Sequence, residues 1–134
     1  LDARAYFRHE PDGRLINDTG TGNSVDCNHP VSRRLILDSL RWFVTQAGVD
    51  GFRFDLGPAL GRMPDGFDPN APLLQEMRSD PILADRIMIA EPWDIGPGGY
   101  QLGRFGEGWL ECHLGVVGFV PHHDRRGADG QDRH

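Results

Sequence analysis

The sequence predicts an α/β fold built on a parallel sheet. Two observations predict it. The first is order: between residues 30 and 91 come a helical pattern, a strand, a loop, a short helix and a second strand. The second is that both strands are largely apolar and finish on an acid, Asp55 on the first and Glu91 on the second. Such strands suit a sheet covered on both faces. The rhythm fits an α/β barrel or a doubly wound sheet. In both, active sites gather at the C-terminal ends of strands.

Residues 1–29 read as loop. Glu10-Pro11-Asp12-Gly13 is a turn signal, and Asn17 to Ser24 is polar and glycine-rich. That run lacks a Gly-Lys-Ser/Thr ending and no strand precedes it, so it reads as a connecting loop and not a phosphate cradle. A helix follows, capped by Asn28 or His29, with Pro30 in its first turn. Ile36, Leu40, Phe43, Val44 and Ala47 form its apolar stripe, widened by Leu37 and Trp42. Gly48 closes it.

The first strand is Val49 to Leu56. Side chains alternate along a strand, so Phe52, Phe54 and Leu56 point one way and Gly51, Arg53 and Asp55 the other. An Arg–Asp pair on so apolar a strand is expected to be interior and paired. Gly57 to Asn70 reads as loop, residues 71–79 as a short helix, and Asp80-Pro81 as its break, with a turn at Ile82-Leu83-Ala84. The second strand is Arg86 to Glu91, stopped by Pro92. Beyond it, Gly103 to Trp109 reads as loop, Cys112 to Val120 as apolar but short, and Pro121 to His134 as disordered.

At 134 residues the chain has room for one domain with a modest core. Its net charge of −6 and scattered basic residues exclude a nucleic-acid partner. No apolar run approaches the ~18–20 residues of a membrane span. Leu1-Asp2-Ala3-Arg4 is neither a signal nor a transit peptide and lacks an initiator Met, as in a chain that begins mid-protein. Cys27 and Cys112 lie far apart without CxxC spacing, which argues against a zinc site or disulfide framework and for a reducing, cytoplasmic location. His29 and the His122-His123 pair are weak ligand signals, and no metal or cofactor is expected.

Neighbouring parallel strands lie ~4.8 Å apart, so Asp55 and Glu91 can flank one bond. Two carboxylates at about 5 Å are the equipment of retaining glycoside hydrolysis. One attacks ionised; the other delivers a proton, so their environments must differ. Arg53 favours the charged form of Asp55, the candidate nucleophile. Glu91 ends an apolar strand before Pro92-Trp93 and is the candidate acid/base. Trp93 can stack on a sugar face or simply pack in its loop. The plain alternatives are a structural Arg53–Asp55 pair and a surface glutamate at a strand end.

Gly51-Phe52-Arg53-Phe54-Asp55-Leu56 resembles the nucleophile strand of the α-amylase superfamily of glycoside hydrolases, and Ala90-Glu91-Pro92-Trp93-Asp94 its acid/base strand. Gly20-Thr21-Gly22-Asn23-Ser24 with Asn28-His29-Pro30, and the run Asp94 to Gln101, are similar to isoamylase-type bacterial glycogen debranching enzymes. The resemblance covers roughly residues 1–110. It implies part of a (β/α)₈ TIM barrel around its fourth and fifth strands, with Asp55 as nucleophile, Glu91 as acid/base and Arg53 orienting the nucleophile. It implies retaining cleavage of α-1,6 branch linkages in a branched α-glucan, glycogen or limit dextrin, with no cofactor.

The departures from that pattern are specific. The family's earlier strand motif ending in Asn-His would precede residue 1. Its later His-Asp motif would follow residue 110, where His122-His123-Asp124 imitates it without a leading strand. Residues 1–110 therefore read as a piece of the catalytic barrel and 111–134 as an atypical tail like a frameshifted end. Three readings follow: a debranching glycosidase or another α-glucan-active member of the superfamily; an inactive remnant of one; and a sugar-binding module using Trp93, Tyr100 and Trp109.

Overall fold

The computed structural model describes residues 2–113 and 116–118. Its elements are α1 (Ala3–Tyr6), α2 (Pro30–Ala47), β1 (Gly51–Phe54), a 3-10 helix (Gly57–Gly61), β2 (Arg62–Met63), β3 (Gly66–Phe67), α3 (Pro72–Ser79), β4 (Ile87–Ala90), β5 (Trp109–His113) and β6 (Val116–Gly118). The main sheet has the order β1-β4-β5-β6. The first three strands are parallel, and β6 returns antiparallel to β5. The α/β class and its parallel sheet are therefore present.

Helix α2 starts and stops where its sequence says. The His29 side chain accepts from the Val31 amide at 3.3 Å, Pro30 opens the first turn, and Gly48 ends the helix at φ 69°. Leu37 and Leu40 are buried, and Ile36 and Val44 pack beside them. Phe43 departs from the expected stripe. It is exposed with Trp42, the two rings meeting edge to face at 5.3 Å. The buried face is narrower than the spacing suggested: Leu37 and Leu40 are enclosed, while Phe43 and Ala47 of the expected stripe reach solvent.

The core fills the space between α2, α3 and one face of the sheet. Leu73, Leu74, Leu83, Ala90 and Phe105 are fully enclosed. Phe52, Phe54, Trp109, Phe105 and Phe67 form a continuous aromatic row, with successive centroids 6.2, 5.5, 5.3 and 5.1 Å apart.

Asn28 does not cap α2. Its Nδ2 donates to the carbonyls of Leu60 at 3.0 Å and Arg62 at 3.3 Å, and its Oδ1 accepts from the Leu73 amide at 2.9 Å. One side chain thus caps α3 and ties it to the 3-10 helix. Nearby, four charges join three loops. Arg62 grips Asp94 with two bonds, Nε–Oδ2 at 2.8 Å and Nη2–Oδ1 at 2.5 Å, and lies 3.4 Å from Asp18, which also pairs with Arg8. The Arg62 and Asp94 side chains are 4% and 0% exposed. Gly96 and Gly99 leave the room this needs: a Cβ at either would stand within 2.7 Å of an atom of the network.

Three stretches read as loop are ordered differently. The N-terminal segment carries α1, capped by Asp2, and bridges Phe7 to Val25 and His9 to Leu15. Residues 57–67 form the 3-10 helix and the β2–β3 hairpin. β5 begins at Trp109 and crosses the 110/111 division, because Trp109-Leu110-Glu111-Cys112 continues the sheet alongside β4. Residues 114–115 and 119–134 of the expected atypical tail, which include the Pro121 to His134 stretch read as disordered, lie outside the described residues.

Replacing Asn28 with Ala removes three long-range hydrogen bonds and is expected to cost about 2–4 kcal/mol, measured by urea unfolding. Asp80 supplies a pH test. Burial pulls its carboxyl up, but Arg41 and the amides of Ile82 and Leu83 outweigh that and hold it below the ordinary carboxylate range. A lowered folded value means stabilisation that is full above the unfolded value of ~3.9 and lost as pH falls through the folded one. Asp80→Asn is expected to flatten the acid limb of a stability–pH series.

Candidate active site

The β1–β4 register decides the site. Gly51 pairs with Ile87, Phe52 with Met88, Arg53 with Ile89 and Phe54 with Ala90. Asp55 and Glu91 are the next residue on each strand, so they leave the sheet side by side at its C-terminal end. Phe52 and Phe54 turn toward the core. Arg53 and Asp55 take the opposite face, as alternation requires.

Glu91 is held by the turn that follows β1. Its amide donates to the Phe54 carbonyl at 2.9 Å, and its carbonyl accepts from the Gly57 amide at 2.8 Å. Its Oε2 accepts from the Leu56 amide at 2.9 Å. Gly57 must be glycine for this approach: a Cβ there would lie 2.9 Å from the Glu91 carbonyl and 3.0 Å from Ala90 and Phe105. Leu56 turns with φ 48° and ψ 53°, so the strand stops at Phe54 and does not run on to Leu56.

Arg53 reaches both acids. Its Nη1 lies 3.2 Å from Asp55 Oδ1 and its Nη2 3.6 Å from Glu91 Oε1. A hydrogen bond with Glu91, and then one with Arg53, hold the Asp55 carboxyl below its ordinary range. The Asp55 bond, followed by a contact with Cys112, pushes the Arg53 guanidinium up. The pair is not interior as expected. Arg53 is 47% and Asp55 80% exposed, whereas Glu91 is 16% exposed. Their face of the sheet lies opposite the core face, and there Arg53 and Asp55 stay open to solvent while Glu91 is mostly enclosed.

Trp93 stands two residues past Glu91, half-buried. Among the described residues no hydrogen bond ties it to the other three. Tyr100 is exposed, but Trp109 is 4% exposed and packed at a tilt between Phe54 and Phe105. Trp109 is therefore a core residue, and the sugar-binding-module reading loses one of its aromatics. The clefts of about 450 and 590 Å³ open beside the N-terminal loop and the β2–β3 hairpin, and neither is lined by Asp55 or Glu91. Among the described residues no group of three His, Cys, Asp or Glu is placed to hold a metal ion.

Two neighbours of the acids escaped the sequence reading. Ala90 pairs with Glu111, so Cys112 comes level with Glu91 on the third strand, buried and in contact with Arg53. Assigning β5 would have found it. The Leu56 amide could not be found, since a backbone donor leaves no mark in residue type.

No protein-family profile matches the chain. Over 105 residues it is 50% identical to the glycogen debranching enzyme of Serratia proteamaculans, a match covering 78% of this chain and 16% of that protein. Over 111 residues it is 46% identical to the glycogen debranching enzyme of Yersinia pseudotuberculosis, covering 83% of this chain and 17% of that protein. Its backbone is similar to pullulanase from Bacillus acidopullulyticus, with a TM-score of 0.54 and 31% identity over 69% of this chain and 10% of that one. It is also similar to a pullulanase from Anoxybacillus sp. LM18-11 complexed with maltotetraose, with a TM-score of 0.58 and 26% identity over 79% and 16% of the two chains. The chain spans about a sixth of the length of the curated relatives it matches. In sequence, then, this chain is similar to one segment of the bacterial glycogen debranching enzymes, and in backbone to a part of the pullulanases.

Proposed function

We propose that this segment carries the catalytic carboxylates of a retaining glycoside hydrolase acting on α-1,6 branch linkages of a branched α-glucan. The observation that carries the reading is the β1–β4 register, which sets Asp55 and Glu91 level on neighbouring strands. Strands ~4.8 Å apart suit the ~5–5.5 Å carboxyl spacing of retaining enzymes better than the ~6.5–9.5 Å that admits a water in inverting ones. In this reading β1 and β4 are the fourth and fifth strands of a (β/α)₈ barrel.

Asp55, held ionised by its neighbours, attacks the anomeric carbon as the C–O bond to the branch oxygen breaks. Glu91 gives that oxygen its proton. The glucosyl–Asp55 ester is then opened by water, from which Glu91 takes a proton, and the configuration is retained. Arg53 orients Asp55 and offsets negative charge between the two acids. Asp55, four-fifths exposed, has room to turn as the sugar enters. Trp93 offers a stacking face beside the acid/base. Two free, buried cysteines support the cytoplasmic location.

Because the chain spans a sixth of its relatives, turnover is expected where the rest of such an enzyme is present and not from this chain alone. The test is a chimaera in which residues 2–113 replace the matching segment of the Serratia enzyme. It is expected to debranch limit dextrin with retention. Glu91→Gln should lower the rate by about 10²–10⁴-fold, and Asp55→Asn should bring it to background. An Asp55→Asn chimaera with undiminished debranching would end the nucleophile assignment.

A further inference from the structure

The turn after β1 breaks a pattern that the ladder itself sets up. Parallel strands bond at even spacing. Here the Ile87 amide donates to the Asp50 carbonyl and the Glu91 amide to the Phe54 carbonyl. The next bond in that series is Leu56 N–H to the Glu91 carbonyl. It is not made. The Gly57 amide takes the Glu91 carbonyl instead, and the Leu56 amide is delivered to the Glu91 side chain. The ladder has slipped by one residue, as in a bulge, and bulges re-aim groups beside active sites.

The slip has a conformational cost. Leu56 is the non-glycine residue at positive φ among the described residues, a region in which L side chains are strained. The neighbouring Gly57 has no space for a side chain. A leucine in the strained position beside an obligatory glycine is tolerated only where the surroundings over-determine it.

We propose that the Leu56 backbone amide is a positioning group for Glu91, one that chooses which of its oxygens carries the exchangeable proton. The carbonyl oxygen of a carboxylic acid accepts more strongly than its hydroxyl oxygen, so an N–H donating to Oε2 favours the acid form with its proton on Oε1. Oε1 is the oxygen 3.6 Å from Arg53 Nη2, on the side of Asp55 and therefore of the scissile bond. When Glu91 is a carboxylate, the same amide keeps Oε2 occupied and leaves Oε1 to take the proton from water. Glu91 itself keeps its place between the two steps and exchanges only the proton. The inference rests on the acid/base reading of Glu91, but its test does not.

The test is NMR of the full chain, labelled with ¹⁵N and ¹³C, across a pH series. The Leu56 amide resonances are expected to move with the midpoint of the Glu91 side-chain carboxyl carbon. The response should vanish in Glu91→Gln and persist in Asp55→Asn. Gly57→Ala, which sets a Cβ against the Glu91 carbonyl, should uncouple Leu56 from Glu91, whereas Leu56→Gly keeps the amide and the response. A Leu56 amide indifferent to pH, or one silenced by Asp55→Asn and not by Glu91→Gln, would overturn the proposal. An inactive chimaera with a coupled amide would sink the catalytic reading alone; an active one with an uncoupled amide would sink this inference alone.

Discussion

The pairing of β1 with β4 is the contact on which the rest of the molecule depends. It joins segments far apart in the chain, and its parallel sense requires the crossover through the hairpin and α3. It turns Phe52 and Phe54 onto the core. It sends Arg53 and Asp55 to the other face and sets Glu91 beside them. A shift of one residue would exchange the two sets, placing acids in the core and phenyl rings in water. The aromatic row from Phe52 to Phe67 resists that shift from one side, and the three bonds to Glu91 resist it from the other.

The loops above the sheet are anchored in the core by Leu60, Phe67 and Phe105 and held to one another by polar groups. Asn28 satisfies the start of α3 and two carbonyls of the crossover at once. Arg62 occupies the centre of a charge cluster spanning the N-terminal segment, the hairpin and the segment after β4. These groups fix the rim from which Trp93 and its neighbours project. The carboxylates are therefore aimed by backbone from below and bounded by loops that are themselves ordered by charge.

Much of this was readable in residue order, and the exceptions have causes. Alternation placed Arg53 and Asp55 on one face, and apolar strands ending in acids located Asp55 and Glu91. Pro30 and Gly48 bounded α2 because each acts through its own backbone restrictions. Phe43 was misplaced because helical spacing identifies an apolar side but not how much of it meets a partner. β5 was missed because Glu111 and Cys112 do not look like a strand, and the sheet supplies what local pattern lacks. The exposure of the Arg53–Asp55 pair depends on what covers that face, which pattern within β1 does not encode. The Leu56 turn was hidden because leucine is a poor marker of a left-handed conformation.

The enclosure of Asp94 has a consequence for motion. Charge separated from its partner inside a protein is strongly disfavoured, so the segment bearing Asp94 and the hairpin bearing Arg62 cannot part by small degrees. Each local opening must hydrate both ions together or neither. The hairpin and the segment following β4 are thus tied into one unit that is expected to open together.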